Sequence, residues 1–173
     1  HILAVTPSAN AANQALSTLL EQVGDPARAL ALREDIVARN PEDRAARVAL
    51  GDVYLAYGRP QDAIDQYEAA AAGEADASVL LKLADAHSAL GQWDAAEAAL
   101  TRAAERAPDS YDVRLRQGQF YVGRGRFADA TASLAAARHI DPNRFETYLA
   151  LAQAQLLRND LAGAETQGFR LAQ

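Results

Sequence analysis

Cysteine and methionine are both absent from this chain of 173 residues. Without a thiol, the chain can form neither a disulfide nor a cysteine-ligated zinc site, and this absence fits either the cytoplasm or the periplasm. Because a complete gene product begins with methionine, we expect the chain to be a fragment or a processed product. Any targeting signal would then lie outside it.

A basic surface and a long apolar run are also missing. The formal net charge is −6 and the pI is about 5.0, whereas nucleic-acid-binding domains are usually basic. No apolar stretch approaches the ~18 residues of a membrane-spanning helix. We therefore expect neither nucleic acid as a partner nor direct membrane insertion of this segment. About a quarter of the residues are alanine, a composition that favours helix.

What the chain does contain is an internal repeat. Turn-forming residues recur at spacings of 34, 33, 34 and 34, namely Gly24, Gly58, Gly91, Gly125 and Asn159. An alanine follows each turn by five residues: Ala29, Ala63, Ala96, Ala130 and Ala164. A small residue precedes each turn by seven: Ser17, Gly51, Ala84, Gly118 and Ala152. Agreement between independent columns on one period predicts a repeat architecture.

Each repeat is predicted to contain two helices. In one unit the first helix runs from about Pro108 to Gly123, and the second runs from about Phe127 to Ile140. Gly125 separates them, because glycine adopts the left-handed conformation that ends a helix. The small residues let the two helix axes approach closely. One helix pair cannot bury its apolar face alone, so neighbouring pairs must stack.

At these positions the chain resembles the tetratricopeptide repeat (TPR) family. One unit carries the pattern as Leu50-Gly51, Tyr54, Gly58, Ala63, Tyr67 and Ala70; the next as Leu83-Ala84, His87, Gly91, Ala96, Leu100, Ala103 and Pro108; the third as Gly118, Tyr121, Gly125, Ala130, Leu134, Ala137 and Pro142. The resemblance implies an all-α fold, a right-handed α-solenoid of stacked antiparallel helix pairs known as a TPR superhelix.

The period also predicts the unit boundaries. Residues 1–9 form the end of a preceding repeat, four TPR units span 10–43, 44–76, 77–110 and 111–144, and 145–173 is an incomplete or degenerate TPR. We expect the array to continue beyond both ends. Gly168 stands where a bulky residue is expected, which predicts that the last helix is frayed or locally bent.

No catalytic, cofactor or metal site is predicted. His87 shares a column with Tyr54 and Tyr121 and is interpreted as a packing residue. No pair of histidines has the spacing of metal ligands on one helix face. The glycine-rich stretch 123–127 follows a helix and contains the turn residue Gly125, so it is interpreted as a turn. We therefore expect a protein that is not an enzyme.

The family resemblance implies a concave groove, lined mostly by first helices, that takes extended peptides or partner helices. The residues expected to face it are Gln14, Thr18, Val48, Asp52, Leu81, Lys82, Asp85, Leu115, Arg116, Gln119, Leu149 and Gln153. In one interpretation Lys82 and Arg116 orient a peptide carboxylate while Leu81, Leu115 and Leu149 grip side chains. In the other this face is merely solvated, with local Lys82–Asp85 and Asp112–Arg116 ion pairs.

The first-helix positions Gln14, Thr18, Val48 and Asp52 do not match the lysine and asparagine clamp with which some family members bind chaperone C-termini. We expect a non-enzymatic scaffold that binds a protein or peptide partner in a bacterial assembly of the envelope secretion, pilus or cytochrome-assembly type. The periplasm or cell envelope is favoured over the cytoplasm. The alternatives are a substrate-recruiting region of a larger enzyme such as a transferase, and a self-assembling scaffold.

Overall fold

A computed structural model describes the backbone of residues 7–73 and 75–171, and the side chains of residues 13, 15–20, 22–73 and 75–158. Within that range the chain folds into nine α-helices and no strand: α1 Pro7–Gln22, α2 Pro26–Arg39, α3 Arg44–Ala56, α4 Pro60–Ala70, α5 Ala77–Ala89, α6 Trp93–Arg106, α7 Tyr111–Gly123, α8 Phe127–Ile140 and α9 Phe145–Leu171. In the described part of the chain, no helix has both the length and the apolar character needed to cross a membrane. The chain divides into two compact units, His1–Ala96 and Glu97–Gln173, which we call the N-terminal unit and the C-terminal unit.

Four of the five predicted turn residues end a helix pair's first helix in the same way. Gly24, Gly58, Gly91 and Gly125 have φ angles of 82°, 69°, 69° and 70°. The residue after each glycine donates its backbone N–H to the carbonyl five residues earlier, as Arg59 does to Tyr54 at 2.8 Å. This bond satisfies a carbonyl that the helix end would otherwise leave unbonded. The prediction of glycine turns at these four positions is confirmed.

The fifth predicted turn, at Asn159, is wrong. The backbone of α9 continues through it as a single helix from Phe145 to Leu171. A residue with a side chain adopts the left-handed conformation less readily than glycine does, and Asp160, Leu161 and Ala162 are all compatible with helix. The fraying or local bending expected at Gly168 stays a prediction, and the backbone is helical as far as Leu171.

The small residues allow close packing inside each helix pair. A Cβ atom placed on Gly51 of α3 would lie 2.5 Å from the ring of Tyr67 on α4. A Cβ atom on Gly118 of α7 would likewise lie 2.5 Å from the side chain of Leu134 on α8. Since real Cβ atoms do not approach so closely, only glycine lets these large side chains lie directly on the first helix. The predicted role of the small column is confirmed in both pairs.

Candidate peptide-binding face

In the N-terminal unit, α3 separates two clefts that share Ala49 and Asp52 in their lining. The first cleft, of about 760 Å³, lies between α3 and the start of α2, and includes Arg33 and Tyr57. The second, of about 400 Å³, extends from α3 to the start of α5 and includes Val48. Their volumes fall within the range of ligand-binding clefts. A continuous surface with two depressions therefore flanks Asp52.

The carboxylate of Asp52 joins three helices of this unit. Its Oδ1 accepts a hydrogen bond from the hydroxyl of Tyr67 at 2.7 Å and another from Nζ of Lys82 at 2.6 Å. The side chains of Lys82 and Asp52 are 38% and 45% exposed. Tyr67 of α4 thus holds Asp52 in place, and both members of the ion pair remain accessible to a ligand.

The Tyr67 ring is fully buried, but its hydroxyl reaches the edge of the site. Burial, reinforced by the hydrogen bond to Asp52, raises the pKa of Tyr67 well above its ordinary value. The hydroxyl therefore keeps its proton at neutral pH and acts as the donor to the carboxylate. Because the ring lies directly over Gly51, that glycine is what allows Tyr67 to extend to Asp52.

The predicted groove residues of the N-terminal unit divide into three groups. Val48 and Asp52 line the clefts, and Lys82 binds Asp52. Leu81 and Asp85 are half-buried on α5, and Thr18 is exposed on α1. The side chain of Gln14 lies outside the described residues. Sequence spacing predicts a local ion pair between Lys82 and Asp85. It does not predict the bond from Lys82 to Asp52, which lies thirty residues earlier in the chain.

In the C-terminal unit, Arg116 and Gln119 of α7 and Leu149 and Gln153 of α9 are exposed as predicted groove residues should be. Leu115 requires a correction. It is only 8% exposed and packs in a core cluster with Tyr111 and Leu134, together with residues of α9. Because the next first helix covers it, Leu115 cannot contact a ligand from its present position. Asp112, expected to pair with Arg116, has a guanidinium nitrogen of Arg144 at 3.9 Å.

Sequence reasoning missed Tyr67 and Ala49. Tyr67 occupies the column held by Leu100 and Leu134, and two leucines in one column indicate packing rather than a polar contact. The available signal was its hydroxyl, because a buried tyrosine normally needs a hydrogen-bond partner. Ala49 gave no signal of its own. Its importance comes from lying between two clefts, which only the packing of α3 against its neighbours reveals.

The histidine interpreted as a packing residue is half-buried on α5. Nδ1 of His87 lies 2.7 Å from the side-chain oxygen of Gln92, which follows the turn residue Gly91. Among the residues that the structure describes, no group of three histidine, cysteine or acidic residues is arranged to hold a metal ion. The polar geometry of the described surface is therefore that of hydrogen bonds and ion pairs.

A family model described as tetratricopeptide repeat matches residues 15–78 and 81–145, more than half of the chain. The chain belongs to the tetratricopeptide repeat family. The all-α fold of antiparallel helix pairs predicted for it is confirmed, and helix pairs of this family typically serve as modules for protein interaction.

Solved TPR structures share the fold at low sequence identity. MamA is 20% identical over 93% of this chain and 88% of its own, with a TM-score of 0.74. A TPR protein of Thermus thermophilus is 24% identical over 87% of this chain and 84% of its own, with a TM-score of 0.71. YrrB, described as a TPR protein with an unusual peptide-binding site, is 23% identical over 86% of each chain, with a TM-score of 0.61. A search of curated proteins finds no match.

Proposed function

We propose that this TPR chain is a non-enzymatic scaffold that holds an extended segment of a partner protein on the first-helix face of its N-terminal unit. The observation that carries this proposal is the pair of clefts meeting at Ala49 and Asp52. Successive side chains of an extended peptide point to opposite sides. A strand crossing α3 could therefore place side chains in the clefts while its backbone passes over Asp52.

The chemistry of the cleft walls suits such a ligand. Ala45, Ala49 and Val53 offer small apolar surfaces that a peptide side chain can cover. An ionised carboxylate has about four acceptor sites, and two are used by Tyr67 and Lys82. The rest can accept hydrogen bonds from peptide N–H groups. Lys82 has three donors and can bind a peptide carbonyl or carboxylate beside Asp52.

The C-terminal unit contributes its own exposed positions to the proposal. Arg116 and Gln119 on α7 and Gln153 on α9 form an exposed polar surface within that unit, whose part in binding is tested separately. The setting in which the scaffold acts, a bacterial assembly of the secretion, pilus or cytochrome-assembly type, stays a prediction. So do the enzyme-recruiting alternative and the envelope location. The peptide-binding site described for YrrB supports the ligand class only by analogy of fold.

The test is selection of peptides from a phage-displayed library of random dodecapeptides. Ala49→Trp fills the wall shared by both clefts, and the matched control Ala132→Trp adds the same side chain to an exposed position on α8. We expect wild type and the control to enrich a common peptide motif, and Ala49→Trp to lose it. Circular dichroism establishes that both variants keep their helices.

Two further variants, Asp52→Asn and Lys82→Glu, identify the polar contacts. Both should weaken binding of a selected peptide, measured by isothermal titration calorimetry, whereas Arg116→Glu reports separately on the C-terminal unit. Absence of any enriched motif on wild type, or equal binding to Ala49→Trp, would contradict the proposal.

A further inference from the structure

The first cleft of the N-terminal unit has mainly apolar walls. Ala49, Val53 and Ala56 of α3 form one side of it, and the ring of Tyr57 adds an aromatic wall. The hydroxyl of Tyr57 donates a long hydrogen bond, of 3.4 Å, to the carbonyl oxygen of Pro26. Because this bond joins the end of α3 to the start of α2, the aromatic wall is held in position before a ligand arrives.

The equivalent place in the C-terminal unit is packed. Leu134 of α8 and Ala150 of α9 lie 101 residues, or three repeats, after Arg33 and Ala49. Both belong to one core cluster, and the side chain of Leu134 is completely buried. A cleft between α8 and α9 has a volume of only about 230 Å³, compared with about 760 Å³ for the first cleft. A leucine side chain therefore fills in one unit the space that is open beside Ala49 in the other.

Arg33 accounts for this difference between the units. The column to which it belongs holds Tyr67, Leu100 and Leu134 in the next three units. An arginine covers apolar surface with its stem but keeps its charged head in water, and Arg33 is half-buried in the wall of the first cleft. The N-terminal unit thus has apolar walls without the bulky apolar side chain that fits between them elsewhere in the chain.

The second cleft differs from the first in size and in charge. Its volume is about 400 Å³, and Arg44, Asp76 and Ser78 line it together with Asp52. An apolar side chain placed against these groups would take them out of water without giving them hydrogen bonds, which costs free energy. The second cleft is therefore suited to a smaller or polar side chain, and the first cleft to a large apolar one.

Given the proposed peptide-binding function, on which this step rests, we propose that the first cleft selects a partner segment with one large apolar side chain. That side chain, which we call the anchor, takes the place in the N-terminal unit that Leu134 takes in the C-terminal unit. It packs on Ala49 and Val53 beside the ring of Tyr57. The partner thus supplies an apolar group that this unit, with Arg33 in the column, does not supply itself.

The test starts from a peptide selected on the wild-type chain, each residue of which is replaced in turn by alanine. Isothermal titration calorimetry should find one large apolar residue whose replacement weakens binding about ten- to a hundredfold, because its buried apolar surface is lost. A peptide in which no apolar residue has such an effect would overturn the anchor, while its loss of binding to Ala49→Trp would still support the proposed function. If wild type enriches no peptide, the proposed function itself is contradicted, and the anchor with it.

Two matched variants of α3 show which cleft holds the anchor. Ala56 lines only the first cleft and Ala45 only the second, and both are exposed. The quantity compared is the ratio of the affinities of the peptide and of its anchor-to-alanine form, because either tryptophan can lower affinity overall. Ala45→Trp should keep the wild-type ratio, whereas Ala56→Trp, with its first cleft already filled, should bring the ratio close to one. The reverse pattern, or the wild-type ratio in both variants, would overturn the proposal, and circular dichroism establishes that both variants keep their helices.

Discussion

The helix pairs α3–α4 and α7–α8 place a large side chain over the same glycine position and use it differently. Leu134 ends over Gly118, and the next residue of α7, Gln119, is exposed. Tyr67 covers Gly51 and continues to Asp52, the residue equivalent to Gln119. One hydroxyl thus converts a packing position into support for a surface carboxylate. A side chain at a position that a repeat alignment assigns to the core can therefore fix a polar group on the exposed face of the first helix.

A second contrast concerns the tyrosines near the turns. Tyr54 donates to Glu34 at 2.8 Å, and Tyr121 donates to Glu97 at 3.1 Å. An arginine that follows each turn glycine lies over the tyrosine ring, at 4.4 Å for Arg59 and 4.5 Å for Arg126. Yet Glu34 lies ten residues after its turn glycine and Glu97 only six. The same type of tyrosine–glutamate contact therefore forms in both units, although the two glutamates occupy repeat positions that differ by about one helical turn.

The largest effect on stability is expected from truncating Leu134, the side chain that only packs over its glycine. Leu134→Ala should lower the free energy of unfolding by about 2–5 kcal/mol, because it empties a fully buried site over Gly118. Chemical denaturation followed by circular dichroism measures it. The control Leu90→Ala removes a side chain that is 39% exposed and should cost well under half as much. Equal losses would show that Leu134 does not hold the pair together.

Alkaline pH should reduce the contribution that the buried, hydrogen-bonded Tyr54 makes to the free energy of unfolding. Burial, with the hydrogen bond to Glu34, raises its pKa from 10.0 to about 12. A raised folded-state pKa gives stability that is complete below pH 10 and is lost as pH rises through 12. The loss should be on the order of 2 kcal/mol.

The measurement is the free energy of unfolding of wild type and Tyr54→Phe as a function of pH. The advantage of wild type should shrink across that interval. Tyr121→Phe provides the matched comparison, since burial and Glu97 raise the pKa of Tyr121 in the same direction. A wild-type advantage that stays constant with pH would contradict the assignment.

Adding a methyl group under the two large side chains sharpens the comparison. Gly51→Ala and Gly118→Ala each place a carbon 2.5 Å from a neighbouring side chain, at a steric cost of about 1–3 kcal/mol. The better helix propensity of alanine offsets up to about 1 kcal/mol of this. Gly51→Ala should cost more, because the ring of Tyr67 is rigid and Leu134 can change rotamer.

Gly123→Ala is the control for these variants. No atom lies within 4 Å of a Cβ at Gly123, so this substitution should be neutral or stabilising in the same denaturation experiment. Destabilisation of all three variants by the same amount would show that close packing is not the cause.

The smallest effect on stability is expected from Tyr67→Phe, which removes only the hydroxyl that Leu134 also lacks. Loss of the bond to the half-exposed Asp52 should cost about 1 kcal/mol. Its effect on peptide binding should exceed its effect on stability, because Asp52 loses its support from α4. Titration calorimetry with a selected peptide checks this, and unchanged affinity would make Tyr67 a packing residue only.

The repeat columns predicted the backbone of this fold because each column reflects a conformational or packing requirement within one helix pair. A glycine at the turn and a small residue at the helix crossing act within one helix pair, and Gly58, Gly125, Gly51 and Gly118 all serve as expected. The columns failed at Asn159, where a turn residue of weaker preference stands among helix formers. They also failed for Leu115, whose burial depends on how the next first helix packs, which no single unit encodes.

The candidate site was predicted less completely than the fold. Asp52 and Val48 line the clefts and Lys82 bonds to Asp52, so first-helix position alone brought these three residues together, and their part in binding stays a prediction. The bond between Asp52 and Lys82 and the support from Tyr67 were missed because they join residues fifteen and thirty positions apart. Such contacts depend on the offset between helices, which periodicity does not determine.

Lys82 is the only lysine in the chain, and its amine lies at the centre of the proposed peptide-binding face. Amine-reactive reagents therefore meet one side-chain target per molecule besides the chain's α-amine. The extent of its acylation, read by intact-mass spectrometry, should drop when a peptide occupies the face. Acylation of Lys82 thus reports whether the proposed face is occupied, with no label or substitution introduced.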